Sequence, residues 1–253
     1  MTRWLGSTIL IIFLIQVLFY IIAALFRTDK VTDLAYWLTF VLLAIWWYIQ
    51  SEQTISHLII TTIVVLRWIR LAWYLFVRIL KIKKDERFDN MRNSWIDFGK
   101  FWILQTISIW IIFLPAIFLF QSNWYNDINI WMILWWWVWL IWFILETIAD
   151  QQKYQYKIKN PKHWTDTWLR KYSRHPNYLW EMLVWIWIFT LISPILLQWQ
   201  WLSIISPLFI IILLLFVSWI PLLKKQYDKK YGKDKEYIKY IKSTNLLLPI
   251  PKF

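Results

Sequence analysis

The stretch YSRHPNYLWEMLVW, Tyr172 to Trp185, sets ionisable and hydrogen-bonding side chains at the head of a run otherwise suited to lipid. Pro176 fits the first turn of a helix, where its missing N–H costs nothing. Arg174 stands just before that start. Asn177 and Glu181 are four residues apart and share one helix face, with Tyr178 alongside and Trp185 continuing the stripe. A helix N-terminus beside a guanidinium is a natural anion site. An amide and a carboxylate one and two turns further in can hydrogen-bond a ligand that reaches deeper. An ionisable group facing lipid costs several kcal/mol, so Glu181 is expected to face the bundle interior or a wet cavity. The plainer reading of the same spacing is that Arg174, Asn177 and Glu181 cap the helix and pair with one another.

A second polar group lies in ETIADQQKYQYK, where Glu146 and Asp150 are one turn apart and Lys153, Tyr154 and Lys157 follow. Arg67 and Arg70 share a face of an apolar run and need partners there. The carboxylates on hand are Glu146, Asp150 and Glu181, and a structural ion-pair network is a simpler role for these arginines than catalysis. The tail, YGKDKEYIKYIKSTNLLLPIP, repeats Tyr and Lys. It reads either as an interfacial segment on anionic lipid or as a lid, with Tyr231, Tyr237 and Tyr240 as contacts. The chain has no Cys, which excludes thiolate nucleophiles, disulfides and Cys-ligated metals. His57, His163 and His175 are too scattered for a metal site.

These residues need a scaffold, and composition supplies its class. Of 253 residues, 60% are hydrophobic and 17% charged, with mean hydropathy +0.45. A soluble domain carries about 25% charged residues. The chain therefore reads as an all-α polytopic membrane bundle forming a single domain over 1–253. About seven transmembrane helices are expected, near 4–26, 34–49, 57–80, 101–121, 128–148, 178–194 and 201–223. The first run lacks a small-residue cleavage site and is long enough to span, so it reads as a retained helix. If the spans alternate, the first, third and fifth loops and the tail hold two, six, seven and nine basic residues, 24 of the 28 in the chain. The positive-inside rule then puts the N-terminus outside and the C-terminus in the cytoplasm. The net charge of +13 is read as this topology and as attraction to anionic membrane lipids, with no nucleic-acid role.

Trp occurs 24 times and Gly three times, where about 18 Gly are usual for this length. An aromatic belt at the membrane surface explains some of the Trp. It does not explain Trp68, Trp187 and Trp219, in mid-span or turns, or Trp135 and Trp139, four apart where glycines would make a close-packing face. The pattern is expected if many of these Trp codons are UGA, read as glycine in the living cell.

The run TDTWLRKYSRHPNYLWE resembles the steroid 5-alpha-reductase C-terminal-like membrane proteins, including the bacterial DUF1295 group, whose stretch runs close to D-x-G-L-W-x-Y-S-R-H-P-N-Y-x-G-E. Trp168 and Trp180 stand where that family has Gly, and so does Trp219 in VSWIPLL. The likeness extends to DLAYW, RLAWYLFVRI, DERF, ETIADQQ and the tail with Thr244, Pro249 and Pro251, which is most of the chain. It implies a seven-helix bundle that uses NADPH to reduce a C=C bond conjugated to a carbonyl. It also implies residues 1–121 on the substrate side and 122–253 on the cofactor side. By that resemblance Asn177, Tyr178 and Glu181 contact the cofactor, Glu146 and Asp150 form a polar pair near it, and Tyr172, Arg174 and His175 lie at the mouth. Lys157, Tyr237 and Tyr240 complete the expected contacts. The acid–tyrosine pair that polarises the carbonyl in steroid reductases has no match here. The substrate is expected to be a hydrophobic small molecule from the bilayer.

Two other readings compete. Isoprenylcysteine carboxyl methyltransferases carry a similar R-H-P-x-Y-x-x-E element and bind S-adenosylmethionine; ADQQ and SWIPLL favour the reductase. A non-catalytic lipid-binding protein would use Asn177 and Glu181 for stability alone.

Overall fold

The computed structural model describes residues 2–82, 88–89, 91, 93–122, 130–160, 163–217 and 219–250. Most of DERF, the basic residues Lys83, Lys84, Arg87 and Arg92, and Pro251 lie outside the described residues. The apolar runs form helices: α1 (Thr2–Leu25), α2 (Thr32–Gln50), α3 (Ile55–Ile82), α4 (Trp95–Phe120) and α5 (Ile130–Lys159). Then come α6 (Leu169–Tyr172), α7 (Pro176–Ile192), α8 (Ile205–Ile212), α9 (Trp219–Tyr231) and α10 (Lys235–Ser243). Among the described residues the non-helical pairing is a parallel bridge between Ser173 and Asn245. The all-α polytopic architecture is thus observed.

Six helical stretches among the described residues are long and apolar enough to cross a membrane: Trp4–Leu25, Thr32–Gln50, Ile55–Lys81, Trp95–Phe120, Pro176–Ile195 and Gln198–Tyr231. The remaining expected span, 128–148, falls on α5, which continues unbroken into its polar end at Lys159. The chain divides into two compact units: residues 1–128 with 192–206, and residues 129–191 with 207–253.

The first unit shows why its helices are two-faced. On α1, Leu10, Leu14 and Leu18 are all more than half exposed, while Thr8, Ile12 and Gln16 on the opposite side are buried. The exposed stripe is what a helix offers to lipid. On the buried side Gln105 Nε2 donates to Gln16 Oε1 at 2.7 Å, and Gln16 Nε2 donates to Thr39 Oγ1 at 2.8 Å. This chain ties α4, α1 and α2, and such bonds in membranes average about 0.6 kcal/mol with a maximum near 1.7. Trp68 is fully buried, 4.9 Å from the Trp37 ring, and the Arg67 guanidinium lies 4.4 Å from the Trp68 centroid. Arg67 is itself buried, as expected of an intramembrane arginine. Pro115 sits inside α4, where it removes a helix hydrogen bond and crowds the preceding turn. The carbonyl of Ile112 in that turn accepts a 2.6 Å bond from Ser206 Oγ.

The second unit holds α5–α7 and, after residue 206, most of α8 with α9 and α10. The last expected span, 201–223, is not one uniform helix. A 3₁₀ helix (Gln198–Ile204), α8, a π turn (Leu213–Val217) and α9 follow one another. Pro221 in the first turn of α9 accounts for the widened turn, because a proline ring clashes with the carbonyl four residues earlier, that of Val217. The segment from Lys224, read in the sequence as tail, belongs to α9 as far as Tyr231.

Candidate functional site: a basic, aromatic cavity in the second unit

Helix α7 begins at Pro176, where the sequence places it. The segment ahead of it is held in extended form by the chain's end. Arg174 N donates to Asn245 O at 2.9 Å and His175 N to Leu246 O at 3.0 Å, and Asn245 N donates to Tyr172 O at 3.2 Å. Ser173 Oγ adds a 2.6 Å bond to Leu247 O, and Thr244 Oγ1 one of 3.2 Å to Lys171 O. The C-terminal stretch is a structural strap that fixes the backbone from which Arg174 and His175 project.

Next to this strap is a cavity of about 290 Å³. Arg170, Arg174, His175, Asn177 and Tyr178 line it from the motif, and Lys153 from α5. Ile220, Leu223, Lys224 and Tyr227 line it from one face of α9, and Tyr237, Tyr240 and Ile241 from one face of α10. Trp164, Thr165 and Leu246 complete it. Four cations thus meet a largely aromatic wall, and no carboxylate is among the described lining residues.

That wall is rigid. The His175 and Tyr178 rings stack 5.2 Å apart and 7° from parallel. Trp164 packs on Tyr237 and Tyr240 at 5.3 and 6.4 Å between centroids, and on Tyr231 at 5.7 Å. Tyr240 Oη donates to Arg170 O at 2.7 Å, and Arg170 Nη1 to Arg174 O at 2.9 Å. Asp234 caps α10 by accepting from Glu236 N at 2.8 Å and Tyr237 N at 3.4 Å, which sets the register of Tyr237 and Tyr240. Burial, reinforced by Arg170, Lys153 and Arg174, pushes the His175 imidazole down to about 3, so it is neutral at pH 7. Burial pushes the Tyr237 and Tyr240 phenols up to about 12, so both keep their protons.

The structure separates the expected site residues into groups. Arg174, His175, Asn177, Tyr178, Tyr237 and Tyr240 share the cavity. Glu146 and Asp150 are buried and, with Asn177, Trp142 and Trp180, border a second space of about 10 Å³. Asn177 and Arg170 border both. Glu181 is 5% exposed, as a membrane carboxylate should be, but it lines neither space; its Oε1 accepts a 3.0 Å bond from Trp185 Nε1. Lys157 lies behind the wall, donating to Tyr231 Oη at 3.3 Å and to His163 O. Tyr172 is 38% exposed, and its backbone carbonyl serves the strap. Tyr231, offered as a lid contact, is buried in the Trp164 cluster.

Sequence reasoning missed Arg170, Trp164, Lys224 and Tyr227. Lys224 and Tyr227 had a signal. With Ile220 and Leu223 they stand at i, i+3, i+4 and i+7, one helical face running out of the apolar span. Trp164 sits in an irregular connection and Arg170 in the single turn of α6, where no periodicity marks them. No group of three or more His, Cys, Asp or Glu that could hold a metal occurs among the described residues.

No curated protein and no solved structure matches the chain. Residues 19–244 match the family described as "protein of unknown function (DUF1295)". The match spans nearly the whole chain and takes in every cavity-lining residue but Leu246, stopping at Thr244 just before the strap's carbonyls, so this protein belongs to the DUF1295 family.

Proposed function

We propose that this protein is an integral membrane reductase that uses NADPH to reduce a carbon–carbon double bond conjugated to a carbonyl in a hydrophobic, steroid-, prenoid- or lipid-like substrate. The observation that carries the reading is the cavity's electrostatics. Lys153, Arg170, Arg174 and Lys224 line it with four cations, and the His175–Tyr178 stack and the Trp164 cluster offer flat faces. Cations suit phosphate oxygens, to which their hydrogen bonds are charge-assisted. Aromatic planes suit nucleobase rings. The same lining opposes S-adenosylmethionine, whose sulfonium centre is a cation. It also fits a purely structural role poorly, because several like charges share one cavity.

Arg174, Arg170, Lys153 and Lys224 are the residues for the phosphates, with Asn177 and Tyr178 towards the deeper end. NADPH, when bound, supplies the hydride. This chain binds and orients it; the neutral Tyr237 hydroxyl keeps its proton, while that of Tyr240 is donated to Arg170 O. In this reading the Lys and Arg bias puts the N-terminus outside and the cavity on the cytoplasmic side. The hydrophobic substrate comes from the bilayer. The test is spectrophotometric. Membranes containing the protein should consume NADPH when a conjugated enone lipid is added, and Arg174→Ala membranes should not. Equal consumption by both would refute the assignment.

A further inference from the structure

Trp168, which precedes α6, has φ 52° and ψ −124°. The left-handed region open to side-chain-bearing residues lies at ψ of about +30 to +60°. Positive φ with strongly negative ψ belongs to glycine, which has no Cβ to clash. None of the chain's three glycines has positive φ; a Cβ at Gly6 would meet nothing within 4 Å, whereas one at Gly232 would run into the Asp228 carbonyl oxygen. A tryptophan thus occupies a glycine backbone, while a glycine sits where any residue fits.

Trp180 gives an independent observation. Its ring stacks on Trp142, 5.4 Å between centroids and 19° between planes. The pair leaves about 10 Å³ beside Asn177, Glu146 and Asp150, about the volume needed for one water. Asn177 and Arg170 border this remnant and the 290 Å³ cavity alike, and the Trp180 indole lines the remnant beside the two carboxylates. Ligand pockets run from about 300 to 1,000 Å³, which makes the cavity small for a dinucleotide.

We propose that residues 168 and 180 are glycine in the protein as its own cell makes it, and that without the Trp180 indole the two spaces become one, running from the basic mouth to Glu146 and Asp150. The chemistry needed is a UGA codon read as glycine at both positions. The joined space would take a long, anionic ligand whose planar end donates hydrogen bonds to the carboxylates. That last point rests on the NADPH reading, while the glycine assignment and the joining do not.

Two measurements test the proposal without nucleotide. In protein purified from its native cells, the tryptic peptide His163–Arg170 and the fragment containing residue 180 should have masses with glycine at 168 and 180; tryptophan at either position overturns the assignment. The chain has no cysteine, so Ala149→Cys, which borders the small space, provides a single thiol. A small maleimide should label it slowly in the Trp180 protein and several-fold faster after Trp180→Gly or Trp180→Ala. Equal rates in folded protein, or loss of a monodisperse fold in both variants, overturn the joined cavity. Because neither readout uses NADPH, a failure here is distinct from a failure to bind the cofactor.

Discussion

The imidazole of His175 lies flat against the phenol of Tyr178, 5.2 Å between centroids and 7° between planes, in a site where burial and neighbouring cations keep the imidazole uncharged. Its folded value of about 3 lies well below the unfolded value of 6.5. The folded state therefore takes up this proton less readily than the unfolded state. The resulting stability is present above pH 6.5 and is lost as pH falls towards 3, by up to about 1.4 kcal/mol per pH unit. His175→Gln should flatten this acid limb in thermal melts between those limits; an unchanged slope would contradict the assignment.

Arg174 is held by backbone bonds to the strap and projects into the cavity. Arg174→Ala should weaken NADPH binding by about 1.5–3 kcal/mol, the range for a hydrogen bond to a charged group, or on the order of ten- to a hundredfold. Calorimetric titration measures this. Raised ionic strength should weaken binding to the intact protein in the same direction, because salt screens the cations.

Tyr240 joins α10 to the motif through its 2.7 Å bond to Arg170 O. Tyr240→Phe keeps the ring packed on Trp164 and removes the hydroxyl. It should destabilise the second unit by about 1 kcal/mol, read as a lower midpoint of thermal unfolding.

Deleting the chain from Asn245 onward removes the acceptors of Arg174 N, His175 N and Ser173 Oγ together. The amides of Arg174 and His175 should then exchange hydrogen much faster, while those in the middle of α7 remain protected. Unchanged exchange at the two amides would show that the strap does not hold the motif.

The helical scaffold was legible because lipid demands long apolar runs, and Pro176 marked the start of α7 from its ring chemistry alone. Periodicity also put Asn177 and Glu181 on one face, yet only Asn177 reaches the cavity. The Trp185 indole, one turn on, engages Glu181, and sequence spacing does not rank partners. The strap was illegible for a different reason. It is backbone pairing between residues more than seventy positions apart, which leaves no side-chain pattern. The end of α9 was hidden because lysines after Leu223 lower hydropathy while the helical face continues through Lys224 and Tyr227.

The central claim is that four cations and an aromatic wall in the second unit hold an anionic dinucleotide. Calorimetric titration of the purified protein with NADPH and, separately, with S-adenosylmethionine tests it most directly, using protein with the residues its own cell installs at 168 and 180. The account predicts saturable NADPH binding that Arg174→Ala weakens on the order of ten- to a hundredfold, and no binding of S-adenosylmethionine. Binding of S-adenosylmethionine with none of NADPH would contradict it.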